Sequence, residues 1–327
     1  MFTHKSAVFL LVLLFVISAT GCSPSTTATP SSQPNGVMPQ MGGPGGSGTF
    51  ASVDPTYKDL AYATVSSAQK LDLYIPTASS GPFPVIIMVH GGGFMMGDKA
   101  DGAGLTGVDQ LLAAGYAVAS INYRLSSEVT YPAQINDAKV AVRFLRANAE
   151  KYNLNSDKFG AWGASAGGSL VSLLGTTCGV KELEGDLGNN DQSSCVQAVV
   201  DWFGPIDFLK MDEQFAGTNC PATHNDASSP ESKLVGAAIQ TVPDLVKTTN
   251  PMNYIDAGDA PFFIENGTAD CNIPPVQNKN LADALSAVIG ADKVTYISID
   301  GAGHGGSQFG TAENLKLVIG FLDKYLK

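Results

Sequence analysis

Between residues 70 and 90 the spacing of apolar positions changes. The stretch "KLDLYIP" (70–76) alternates apolar and polar side chains, the period of a half-exposed strand. "PVIIMVH" (84–90) is apolar almost without a break, as in a strand buried on both faces. A helix around Leu105 to Ala114 and the strand "YAVASINY" follow. "YPAQINDAKVAVRFLRANAEKY" then carries apolar residues at helical spacing, with Pro132 at its first turn. The order repeats: a strand ending at Trp162, a helix from Ser165, the strands "VQAVVDWF" and "PFFIENG", a helix around Gln277 to Ile289, the strand "VTYISI" and a closing helix from Thr311. Strands alternating with helices, several of them apolar throughout, predict an α/β fold: a mostly parallel central sheet with helices on both faces, one domain over residues 51–327. In such folds ligands gather at the carboxyl ends of the strands. The segment from about Phe208 to Asp259 loses the rhythm and is read as an insertion lying over that end.

Four features fall at those strand ends. The first is Gly163-Ala164-Ser165-Ala166-Gly167, set between a strand and a helix. A serine in such a turn stands on strained backbone, and small neighbours let strand and helix approach without Cβ clashes. The second is His90-Gly91-Gly92-Gly93, where consecutive glycines let backbone N–H groups turn toward a developing oxyanion. Gly92, Gly93 and Ala166 are the expected donors, each worth about 3 kcal/mol of barrier; His90 reads as structural. Third, a serine hydroxyl needs a base, and beyond His4 the histidines are His90, His224 and His304. His304 in "DGAGHGG" follows the last strand and is the expected base, while His224 in "PATHNDASS" reads as a surface residue or a substrate contact. Fourth, Asp270 in "ENGTADCNIPP" sits just past a strand, where a carboxylate can hold the histidine tautomer. Among rival acids, Asp256 and Asp259 precede that strand, Asp300 is too close in sequence to His304, and Asp207 is a reserve. Phe94, Met95, Trp202 and Phe203 are candidates for a pocket wall, with core positions the alternative. Arg124 and Asp137 are expected to pair and brace the sheet.

Composition narrows the partners. A formal net charge of -11, with no basic cluster, argues against nucleic acid, whose phosphates need a positive surface. The start of the chain, "MFTHKSAVFLLVLLFVISATGC", has a polar head, an apolar run from Ala7 to Ile17 and small residues after it, the layout of a signal peptide over residues 1–21. Ala19-Thr20-Gly21-Cys22 resembles a bacterial lipobox, with Ala19 where leucine is commonest, so Cys22 is the expected lipidation site and the protein an exported envelope lipoprotein. Residues 22–50 are rich in Ser, Thr, Pro and Gly and read as a disordered tether, with a reach of about 30 Å. In an oxidising compartment Cys178, Cys195, Cys220 and Cys271 are disulfide candidates with three possible pairings. Proximity favours Cys178 with Cys195, leaving Cys220 for Cys271. No cysteine or histidine spacing supports a metal site.

The segments "LDLYIP", "VHGGGF", "INYRLS", "YPAQINDAKVAVRFLRANAEKYNL", "GAWGASAGG", "VVDWFGPIDF", "NGTADCNIPP" and "GAGHGG" together resemble the bacterial α/β-hydrolase carboxylesterases. They are close to the bifunctional feruloyl and acetyl-xylan esterases and akin to the hormone-sensitive-lipase-like esterases. The resemblance implies an α/β-hydrolase fold and ester hydrolysis through a serine nucleophile, with Ser165, Asp270 and His304 as the triad, Gly92, Gly93 and Ala166 as oxyanion donors, and no cofactor. The expected substrates are short-chain acyl or plant-polysaccharide esters, acetyl or feruloyl. Cys178 and Cys195 are not part of the common pattern of that group. Two alternatives share the fold. A serine peptidase usually adds a propeller or a larger specificity domain, for which residues 51–327 leave little length. A glycan-binding lipoprotein on an inactive hydrolase fold typically loses a triad residue or an oxyanion glycine, and here all are present.

Overall fold

A computed structural model describes residues 53–100 and 107–327. The expected signal peptide, Cys22, the tether of residues 22–50 and the start of the helix expected at Leu105 lie outside the described residues.

Eight strands form one sheet: β1 (Tyr57–Ala61), β2 (Lys70–Tyr74), β3 (Phe83–Val89), β4 (Ala117–Ile121), β5 (Leu154–Ala164), β6 (Ala198–Trp202), β7 (Phe262–Gly267) and β8 (Val294–Ile299). Their spatial order is β1-β2-β4-β3-β5-β6-β7-β8, with β1 and β2 antiparallel to their neighbours and every pair from β4 to β8 parallel. The pleat sends alternate side chains to opposite faces. Val85, Ile87 and Val89 pack on the layer that holds the helices Ala133–Ala147, Ala166–Thr176 and Val276–Ile289. Ile86 and Met88 pack with the helices Val108–Ala113 and Ala312–Leu326 on the other. This two-sided burial is what an unbroken apolar run such as "PVIIMV" requires.

Two expectations need correction. The "KLDLYIP" strand is not half-exposed: Leu71 through Tyr74 are all buried. Its polar position, Asp72, points into the protein, where it pairs with the buried ammonium of Lys99 at 2.9 Å. Lys99 also meets Asp59 at 2.9 Å, so the alternation that suggests solvent here marks an internal ion pair. The second is a strand not anticipated at all, β1, whose "YKDLA" is largely exposed at the sheet edge and so carries no periodic signal.

The 208–259 segment is a series of short helical turns: Phe208–Lys210, Met211–Gln214, Pro230–Val235, Ile239–Thr241, Pro243–Lys247 and Pro251–Asn253. Several start on side-chain caps. Asp207 accepts from the Leu209 N–H, Ser229 from Ser232 and Asn250 from Met252, so each turn is specified locally. Arg124 and Asp137 pair as expected: the guanidinium Nε and Nη2 reach the carboxylate at 2.9 and 2.8 Å, and the Arg124 backbone N–H adds a third bond at 2.9 Å. Cys178 is bonded to Cys195, and Cys220 to Cys271.

Candidate active site

The site begins with the turn after β5. Ser165 takes φ 56° and ψ -125°, a conformation that costs an L-residue energy and persists only where its surroundings enforce it. They do so through close approach. A methyl group at Gly163 would lie 2.3 Å from the Gly167 carbonyl oxygen, and one at Gly167 would lie 2.1 Å from that of Val89. The two glycines let β5, β3 and the helix Ala166–Thr176 converge under the serine. The Ser165 N–H donates to the Trp202 carbonyl at 2.9 Å, tying the turn to β6.

His304, after β8, brings its Nε2 to 2.8 Å from Ser165 Oγ. Its Nδ1 lies 2.8 Å from Oδ2 of Asp270, which follows β7. Asp270 has no side-chain exposure, and its other oxygen accepts the backbone N–H groups of Asn272 and Ile273 at 2.8 and 2.9 Å. An ionised carboxylate can only accept, so the Nδ1 proton points to Asp270 and Nε2 is left to accept from the serine hydroxyl. The structure thus brings together Ser165, His304 and Asp270 from three strand ends.

The Gly-rich loop lies beside them. Gly92 and Gly93 have φ of 102° and 59°, a region where glycine is at ease. Gly91 abuts the serine turn: a methyl group there would meet Ser165 Cβ at 3.3 Å. The loop is pinned from below, since the Met95 and Met96 N–H groups donate to the Gly92 carbonyl and the Tyr123 hydroxyl donates to the His90 carbonyl at 3.2 Å. His90 is buried, its ring stacked on that of Tyr123 at 4.4 Å. Ala166 is the first residue of the helix after Ser165, so its N–H belongs to that open N-terminus.

Of the pocket candidates, Phe94 and Trp202 are core residues, 1% and 4% exposed. Met95 is half-buried, and its neighbour Met96 is exposed. Phe203 is buried beside the histidine: its ring meets that of His304 edge-on at 4.8 Å and that of Phe309 at 4.8 Å. The rival acids lie elsewhere. Asp259 accepts from the Asp256 N–H before β7, Asp300 accepts from the Thr268 hydroxyl, and Asp207 caps a helical turn. His224 is half-buried, with its Nδ1 3.2 Å from a carboxylate oxygen of Glu231.

Two buried acids escaped the sequence reading. Asp201, in β6, accepts from the Gly204 N–H and the Ser172 hydroxyl, bracing the turn under Phe203; burial pushes its carboxyl up to about 6. Glu265, in β7, accepts from the Asn314 amide at 3.0 Å, and burial pushes it up to about 7. Charged residues inside the otherwise apolar strands "AVVDW" and "FFIENG" were the available signal.

The eight-stranded sheet and the site at its carboxyl edge define an α/β-hydrolase fold. The chain belongs to the BD-FAE family, whose model matches residues 71–285. It is similar to a truncated form of a carbohydrate esterase from gut microbiota, at 37% identity and a TM-score of 0.74, over 82% of this chain and 95% of that one. A bifunctional GH43-CE protein of Bacteroides eggerthii aligns at 36% identity and a TM-score of 0.74, over 82% of this chain and 35% of that one. Among curated proteins, the esterase LipC of Mycobacterium tuberculosis is 30% identical over 242 residues, 73% of this chain and 57% of LipC. This chain spans little more than half the length of the curated relatives it matches.

Proposed function

We propose that this protein is a serine carboxylic-ester hydrolase with Ser165 as nucleophile, His304 as general base and acid, and Asp270 as the carboxylate that orients the histidine. The observation that carries this reading is the chain of two 2.8 Å contacts from Ser165 through His304 to Asp270. In the cycle, Ser165 Oγ attacks the ester carbonyl carbon as Nε2 takes its proton. The tetrahedral oxyanion meets the N–H groups of Gly92, Gly93 and Ala166. Collapse breaks the bond to the alcohol oxygen, which leaves with the proton from Nε2; water then repeats the sequence on the acyl-enzyme and releases the acid.

The preferred substrates are short acyl esters and acyl-decorated plant polysaccharides, acetyl or feruloyl. The similarity to a carbohydrate esterase and to a GH43-CE protein supports that choice over long-chain lipids. We place the enzyme in the cell envelope, exported by residues 1–21, lipidated at Cys22 and held off the membrane by the tether of residues 22–50. The expected result is hydrolysis of p-nitrophenyl acetate, acetylated xylan and methyl ferulate by wild type and its loss in Ser165→Ala. Equal turnover by Ser165→Ala would remove the serine from the mechanism. Expression with radiolabelled palmitate tests the anchor, which predicts label in wild type and none in Cys22→Ala.

A further inference from the structure

Two residues of the insertion reach the loop that carries Asp270. Cys220 is bonded to Cys271, the residue next to Asp270. His224 lies beside the same loop, where the Asn272 backbone helps to raise its proton affinity. On its other side the imidazole Nδ1 stands 3.2 Å from Glu231, whose side chain is 3% exposed. The Asp212 carboxylate accepts the backbone N–H groups of His224 and Asn225, and the Phe215 ring lies parallel to the imidazole at 6.1 Å. Glu231 belongs to the helix Pro230–Val235, and the first residue of that helix covers the Gly-rich loop: a methyl group at Gly93 would meet Pro230 at 3.2 Å.

A short relay therefore runs from Gly93 through Pro230, Glu231 and His224 to Asn272, with the Cys220–Cys271 bridge beside it. It joins the loop expected to bind the oxyanion to the loop that carries the acid, and it does so above the sheet. The start of that loop is bonded to the segment leading to His304, the Ala269 N–H donating to the Ala302 carbonyl at 2.9 Å, and Asp270 accepts the N–H groups of Asn272 and Ile273. The insertion adds a second anchor at Cys271.

We infer that His224, with the adjacent Cys220–Cys271 bridge, is a positioning residue for the acyl transfer proposed above, holding the Asp270–Ile273 loop at the distance where Asp270 reaches His304; the inference rests on that reading of the site. The groups that face His224 are Glu231, Asp212, the Asn272 backbone and the Phe215 ring. Burial favours the neutral imidazole, but the two carboxylates and the Asn272 acceptor outweigh it and hold His224 above its ordinary value. The relay is therefore strongest with His224 protonated and weakens as pH rises through that raised value.

The test compares wild type with His224→Gln and with the double variant Cys220→Ser/Cys271→Ser. Competent sites are counted by the p-nitrophenol burst, and the proton between His304 and Asp270 is followed as a downfield NMR signal. The expected result is a fall in kcat per titrated site of about 10- to 100-fold in either variant, the cost of a misplaced catalytic group, with KM within about twofold. The downfield proton shifts or broadens in both variants, and the alkaline decline of kcat in wild type disappears in His224→Gln. Unchanged kcat per titrated site overturns the inference, as does a loss of activity matched by the loss of titratable sites. A rise in KM with kcat intact overturns it too, since that marks a substrate contact. Should His224→Gln fail to fold, the bridge variant and the wild-type signal from about pH 6 to pH 9 decide: no change in either is a negative result. Should wild type hydrolyse no ester, the esterase reading falls, and the NMR comparison alone still tells whether His224 positions Asp270.

Discussion

A methyl group at Gly167 would lie 2.1 Å from the Val89 carbonyl oxygen, a backbone atom that cannot swing away. Gly167→Ala is therefore expected to lose more than about 2 kcal/mol of stability and most activity, because relief must come from moving the helix or β3. Urea unfolding followed by circular dichroism measures the first effect. Asp270→Asn probes the opposite kind of change, one that keeps shape and alters chemistry. The amide can donate to Nδ1 and turn the imidazole to the wrong tautomer, so kcat should drop by about 10⁴ with the fold intact. Steady-state kinetics on p-nitrophenyl acetate, beside an unchanged melting curve, checks it. These residues were legible in the sequence because their places are tied to local chain order: glycines flank Ser165, and Asp270 and His304 each follow a strand. Phe203 was not, since an aromatic residue after a buried strand reads equally as pocket wall or core. Its place behind His304 depends on β8 lying two strands away from β6.

At the scale of elements, the Arg124–Asp137 pair joins the chain after β4 to the helix Ala133–Ala147. Asp137 is fully buried, and it also accepts from the Gln69 amide at 2.7 Å. Arg124→Met should cost about 3 to 5 kcal/mol, because it strands a buried carboxylate that keeps only neutral donors. The double variant Arg124→Met/Asp137→Leu should recover much of that loss, and urea midpoints of the three proteins measure both. Elements with a strong period were readable. β3, β4 and β7 announce themselves by apolar runs, and the closing helix starts one residue after the expected Thr311, which caps it through the Asn314 N–H. β1 was unreadable because an exposed edge strand pairs through backbone bonds that any sequence supplies. The insertion was unreadable because turns of three to six residues are too short for a period to register.

For the molecule as a whole, the buried acids set a direction for stability against pH. Glu265 is pushed up to about 7, and Asp201 and Asp259 to about 6, all chiefly by burial. Each carboxyl binds its proton more tightly folded than unfolded, so between about pH 4 and pH 7 the folded state holds more protons. Stability must then fall as pH rises through that window. Glu265→Gln removes its share, on the order of 3 kcal/mol, and should flatten the decline. Melting temperatures from pH 5 to pH 8 for wild type and variant test this, and a wild-type curve that climbs instead would contradict it. The two disulfides act on the same quantity from the unfolded side. With sequence separations of 17 and 51 residues, they are worth about 3 and about 4 kcal/mol by loop entropy.

By itself the sequence determined the α/β alternation, the strand-end positions of Ser165, Asp270 and His304, and the glycines around them. All of these depend on local propensity and on one-dimensional order. The tertiary structure decided which polar residues turn inward. Asp72, Asp201 and Glu265 are buried because partners far along the chain meet them, Lys99, Ser172 and Asn314 respectively. It also decided that the insertion, through the Cys220–Cys271 bridge, reaches the loop of Asp270. Hydrophobic period reports how a segment sits against its own neighbours, whereas the partner of a buried charge is a matter of long-range packing that no local pattern encodes.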